Sequence, residues 1–141
     1  VVDESDELSE LAHTYLSTIV TVRHDQQWYR AAQAVALMGG SYFVITAWNP
    51  GEERLTLEEN RRRNEELRHN LEASGAKIIA ALGSDPNSSY HEESWAVSEV
   101  TMEQVMEHAR AWDQVAIFWV TEQALHVVGC DSSWGLARPH N

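Results

Sequence analysis

Ile45-Thr46-Ala47-Trp48-Asn49-Pro50-Gly51 is the stretch that decides how this chain is laid out. It closes a nearly continuous apolar run, Tyr42 to Trp48, whose length suits a strand and whose lack of a polar face suits the middle of a sheet. Pro50 then removes a backbone donor and restricts Asn49, so the chain has to leave the sheet at Pro50-Gly51. A helix follows from about Leu57 to Ala73, with Thr56 as N-cap, Glu59 in the capping-box position and Gly75 as its stop. On that helix Asn60, Asn64, Leu67 and Leu71 share one stripe, and two amides stand where apolar residues would be expected.

Working outward, residues 6–16 predict a helix, Ile19 to Val22 a strand, and Gln26 to Met38 a second helix ended by Gly39-Gly40. Beyond the central helix, Lys77 to Leu82 and Glu93 to Val97 predict strands around a turn-rich segment. Thr101 and Gln104 frame a capping box for a helix to about Ala111, and Val115 to Val120 with Leu125 to Val128 predict a terminal β-hairpin. The expectation is a compact single α+β domain: a mixed or antiparallel sheet with packed helices and a C-terminal hairpin. Residues 1–14 are expected as an acidic helical segment, 15–130 as the domain, and 131–141 as an irregular tail.

The chain has 141 residues, enough to bury a core without staples, and 43% of them are hydrophobic, which argues against general disorder. The richest apolar run, Ala31 to Met38, is too short to span a bilayer. The acidic opening is no secretory leader, and the lone Cys130 forms no internal disulfide, so a cytoplasmic protein is expected. A formal charge of −12 argues against a nucleic-acid partner. Residues 48–70 depart from that balance, with Arg54, Arg61, Arg62, Arg63 and Arg68 nearly neutralising the acids there. No Gly-rich phosphate loop is present, the histidines have no diagnostic metal spacing, and neither metal nor cofactor is expected.

The candidate site gathers around the first stretch. Buried amides need hydrogen-bond partners, so Asn60 and Asn64 either pin the Trp48–Gly51 turn or contact a ligand; pinning is the plainer role. Asn49 has the same two readings through the turn, and Trp48 stands either in the core or with its indole N–H at a pocket. Glu93 alternates with Trp95, while Glu92 lies on the opposite sheet face. A carboxylate beside an indole has a raised pKa and suits acid or base work; the bland reading of both glutamates is an exposed strand start. Gln114, between a helix and a strand, serves either the backbone or the same pocket.

The string Ile45-Thr46-Ala47-Trp48-Asn49-Pro50, with Asn60 and Asn64 before Leu67 and Leu71, resembles the bacterial family of uncharacterised proteins designated domain of unknown function 3293. Ala81-Leu82-Gly83-Ser84-Asp85, Glu92-Glu93-Ser94-Trp95 and Gln114 to Phe118 are similar to its later motifs, so the resemblance covers roughly residues 15–130. It implies that Trp48, Asn49, Asn60, Asn64, Glu93 and Gln114 occupy recurring family positions, and it implies no activity. Three functional classes remain. The first is a binding or regulatory domain taking a small polar ligand at Trp48, Asn49, Asn60, Asn64 and Gln114. The second is an enzyme using Glu93 as acid or base, and the third a domain that docks a protein partner. The oligomeric state is not legible.

Overall fold

The computed structural model describes residues 4–51, 53–131 and 134–140, with side chains from residue 10 onward. In chain order the elements are α1 (Glu4–Leu16), β1 (Ile19–His24), β2 (Gln27–Arg30), α2 (Ala31–Met38), β3 (Tyr42–Ile45) and α3 (Leu57–Ala73). There follow β4 (Lys77–Ser84), β5 (His91–Ser98), α4 (Met102–Ala111), β6 (Ala116–Val120), β7 (Ala124–Gly129) and β8 (Gly135–Pro139). The strands make one sheet in the order β2-β1-β4-β5-β3-β6-β7-β8, antiparallel at each pairing among the described residues. The fold is α+β, and β6 and β7 form the expected hairpin.

β3 is buried along its length between β5 and β6, which is why its sequence carries no polar alternation. Each face of the sheet has its own core. Val20, Val22, Val44, Ala81 and Ala96 meet Ala34, Val35 and Met38 of α2 on one side. Phe43, Ile45, Val97 and Ile117 meet Leu67 and Leu71 of α3, and Val105, Met106 and Ala109 of α4, on the other. α1 lies against β7 and β8. No described helix is long and apolar enough to cross a membrane.

Two stretches differ from the sequence reading. Residues 26–38 are not one helix, because Asp25 and Gln26 adopt left-handed backbone (φ 49° and 68°) and turn β1 back into β2. Paired positive φ values form the tight hairpin turn that matches strand twist. Trp28, which stands at helical spacing from Ala32 and Val35, is therefore not on a helix but 49% exposed on an edge strand. Residues 135–139 are not irregular: they form β8 on the far edge, with Leu125↔Arg138 and Val127↔Leu136 in register. Arg138 also donates to the Thr18 carbonyl at 3.0 Å, tying this edge to the α1–β1 junction.

Candidate functional site

The helix amides bind the turn after β3. Asn64 Oδ1 accepts the Ala47 N–H at 2.7 Å, and its Nδ2 donates to the Glu93 carbonyl at 2.7 Å. The same carbonyl accepts Thr46 Oγ1–H at 2.7 Å, and Trp95 Nε1 donates to the Asn64 carbonyl at 2.9 Å. One turn earlier, Asn60 Oδ1 accepts the Asn49 N–H at 2.8 Å while its Nδ2 donates to Asn49 Oδ1 at 2.9 Å. Asn49 Oδ1 also accepts the Leu55 N–H at 2.9 Å. These contacts hold Asn49 at φ 44°, a left-handed conformation that an asparagine tolerates but a following proline disfavours. Both helix amides thus complete buried hydrogen bonding as architecture, and α3 is fastened across β3 and β5 at once.

A second set closes the turn from below. Arg63 Nε donates to the Ala47 carbonyl at 2.8 Å and its Nη2 to the Trp112 carbonyl at 2.8 Å. Gln114 Nε2 donates to the Trp48 and Trp112 carbonyls, each at 3.2 Å, and the Gly51 N–H reaches the Asp113 carbonyl at 2.7 Å. Trp48 itself is buried.

The two adjacent glutamates go to opposite faces, as strand period requires. Glu93 faces α3, where Arg61 grips its carboxylate with Nε at 3.1 Å and Nη2 at 2.8 Å. Asn64 meets Glu93 only at the main-chain oxygen, so amide and carboxylate of this pair do not converge. Glu92 faces the α1 side. Burial pushes its carboxyl above the usual carboxylate range, with the Tyr90 hydroxyl and nearby Arg54 pulling the other way. Tyr90 donates to Glu92 Oε1 at 2.9 Å and accepts from Asn49 Nδ2 at 3.1 Å. Burial beside that carboxyl pushes the Tyr90 phenol up to about 12. The Arg54 guanidinium stacks 5.0 Å from the Tyr90 ring centre. A continuous polar chain therefore runs Asn60–Asn49–Tyr90–Glu92.

Glu92 stands where two cavities meet. An outer cleft of about 270 Å³ lies between the end of α1 and the β4–β5 turn, and an inner pocket of about 50 Å³ reaches toward Thr46, Ser94 and Gln114. Tyr15, Thr18, Gly83 and Glu92 line both. Gly83 is paired with Glu92, and a Cβ there would meet Thr18 Cγ2 at 3.3 Å, so the glycine lets the α1–β1 junction close over the carboxyl. Sequence reasoning placed Glu92 on the correct face but did not select it, and Tyr90 was hidden in a turn-rich segment. The signal for Glu92 is the family-like Glu92-Glu93-Ser94-Trp95 string, whose alternation sends the two glutamates to different faces.

Among the described residues, no group of three or more His, Cys, Asp or Glu side chains is placed to hold a metal ion. Cys130 is buried, and burial pushes its thiol up to about 11, away from nucleophile chemistry. Residues 45–117, just over half of the chain, match the family described as "Protein of unknown function (DUF3293)". The chain belongs to that family. Neither a curated protein nor a solved structure matches it. The matched stretch begins at Ile45, the last residue of β3, contains the amide-bearing helix, Tyr90, Glu92 and Gln114, and ends inside β6, short of β7 and β8.

Proposed function

We propose that this member of the DUF3293 family is a small cytosolic domain that binds a polar ligand in the cleft over Glu92. The observation that carries the reading is the Glu92 carboxyl: it is desolvated at the junction of two cavities, with the Tyr90 hydroxyl as its hydrogen-bond donor. A carboxyl held there without a cationic side chain in hydrogen-bond contact is costly for the fold, and a ligand donor removes the cost. Gln114 commits Nε2 to two backbone carbonyls, which leaves its Oε1 as the acceptor beside the inner pocket. Two acceptors select a donor-rich ligand, such as a primary amine, an amidine or a urea-like amide. Asn60, Asn64 and Trp48 act in this reading as the frame that holds Asn49 and Tyr90.

The test pairs native mass spectrometry of the purified protein with thermal unfolding against small amines, amidines and ureas. Binding by at least one class is expected, with Glu92→Gln weakening it about tenfold or more, as loss of a charge-assisted hydrogen bond implies. If Glu92→Leu lowers stability and no class binds the wild type, the carboxyl is architecture and the proposal fails.

A second reading, an enzyme, is favoured by the same raised pKa, which suits a general acid or base. Sequence spacing assigned that role to Glu93; the Arg61 clamp on Glu93 and the desolvation of Glu92 move the proposal to Glu92. Turnover of a bound amide, lost in Glu92→Gln while binding survives, would select the enzyme.

A further inference from the structure

On the opposite face, beyond α3, lies a larger cavity of about 570 Å³ that the Glu92 cleft does not use. Its floor is a row running across four strands. Trp28 of β2 is paired with Arg23 of β1, and Ala80 of β4 is paired with Trp95 of β5. The β1–β4 register, with Val22 opposite Ala81, sets Arg23 beside Ala80 in that row. The row therefore reads tryptophan, arginine, alanine, tryptophan, and the small alanine leaves a depression between two indoles. Three strand spacings separate the tryptophans, roughly 14 Å. Leu82 extends the floor, while Arg61, Asn64 and Glu65 of α3 form the wall.

The two indoles differ in their state. Trp95 is fixed, with Nε1 bonded to the Asn64 carbonyl and the Arg68 guanidinium 6.0 Å from its ring centre. Trp28 is 49% exposed on the edge strand, a large aromatic surface left in water. The charges around the cavity decide what fits. Glu93 is held by Arg61, and Glu65 is held by Arg68, so both nearby carboxylates are matched within the chain. The Arg23 side chain is exposed and makes no hydrogen bond or ion pair to another described residue. The charge left over is a cation between two aromatic faces.

We propose that this cavity is a second binding site, distinct from the Glu92 cleft, for a flat aromatic carboxylate or similar aromatic anion. The ring stacks on Trp28 over the Ala80–Leu82 floor, and Arg23 takes the anion with its planar fork. The volume lies in the usual range for small-molecule sites, and the length of the row suits a two-ring ligand. An aromatic cation would find both glutamates already paired and Arg23 repelling it. A second copy of the chain docking on Trp28 is the competing occupant, and the experiment separates it.

The probes are 2-naphthoate and 2-naphthylmethylamine, titrated into the full chain by calorimetry and followed at the tryptophan indole N–H signals by NMR. Saturable binding of 2-naphthoate is expected, with the amine binding at least about tenfold more weakly. Trp28→Ala and Arg23→Gln should each weaken naphthoate about tenfold, the loss typical of one charge-assisted contact or ring stack. Both side chains are exposed enough for the variants to fold, and Arg62→Gln, on the outer surface of α3, should change nothing. Equal binding of the amine, or unchanged affinity in Trp28→Ala, overturns the proposal. So does a concentration-dependent dimer, in sedimentation, that Trp28→Ala dissolves. None of these results bears on Glu92.

Discussion

Replacing Asn64 by leucine measures how much of this domain hangs on one amide. Leucine is similar in size and extends the Leu67–Leu71 stripe, so the change is conservative in shape and removes only polar partners. Ala47 is fully buried, and its N–H would lose the oxygen at 2.7 Å with no water to replace it. An orphaned buried donor of this kind costs about 1–3 kcal/mol. The Glu93 carbonyl would lose Nδ2 but keep Thr46 Oγ1, so its loss is nearer the net value of one hydrogen bond, about 1 kcal/mol. Added apolar burial offsets roughly 1 kcal/mol of this. The expected net is a destabilisation of about 1–3 kcal/mol, read as a lower urea midpoint with an unchanged slope. Asn64→Asp gives a second readout. The introduced carboxyl can still accept from Ala47, but it needs a proton to bond the Glu93 carbonyl, so its folded pKa lies above its unfolded one. That variant should be most stable below the unfolded pKa and lose stability as pH rises through the folded one. A leucine variant within about 0.5 kcal/mol of wild type would refute the reasoning, because so small a change means a surface position.

Leu71→Ala should cost about 2–5 kcal/mol in equilibrium unfolding, since Leu71 is fully buried where α3 meets the sheet; a loss under about 1 kcal/mol would show a loosely packed face. Glu92→Gln should change the pH dependence of stability. Burial raises the folded pKa of Glu92, so wild type carries a penalty that is absent below the unfolded carboxyl pKa and grows as pH rises through the folded one. The glutamine variant should therefore gain on wild type from about pH 4 upward, and a difference flat with pH would count against a desolvated carboxyl.

Much of this fold was legible because its strongest signals are local and mutually consistent. The α3 boundaries follow from Thr56 and Gly75, and Thr56 Oγ1 does accept the Glu59 N–H. β3 announced its central place by lacking polar residues, and Thr101 with Gln104 forms the full capping box. The β1–β2 hairpin and the switch to helix at Ala31 were not legible, because Gln26 is an unusual residue for left-handed backbone and Trp28 to Val35 keeps helical spacing. β8 was illegible for a different reason. It is an edge strand in which exposed and half-buried residues alternate, Gly135 and Pro139 bound it, and its pairing with β7 is a tertiary fact. At the site, the amide stripe was visible as an anomaly, but hydrogen-bond partners 11 to 29 residues away decided that it pins the backbone.

What points to a function is where the costly features meet. A fold selected for stability alone has no need of a left-handed asparagine before proline, nor of a desolvated carboxyl on a central strand. Here the two are joined by one phenol: Asn49 donates to the Tyr90 hydroxyl, which donates to Glu92. The amides of α3 hold the strained end of that chain, and Gly83 lets the α1–β1 junction close over the desolvated end. Separate structural accidents would be expected to fall in different places, whereas these sit on one hydrogen-bonded path ending in a cavity. If the path exists to present Glu92, Asn49→Ala should release Tyr90 and perturb the carboxyl without touching it. In that variant the carboxyl loses the hydroxyl that favours its ionised form, so the pH-dependent penalty should grow, and Glu92→Gln added on top should recover more stability than it does alone. Such coupling in a double-mutant cycle measures the path itself, and additive effects would mean that Asn49 only shapes a turn.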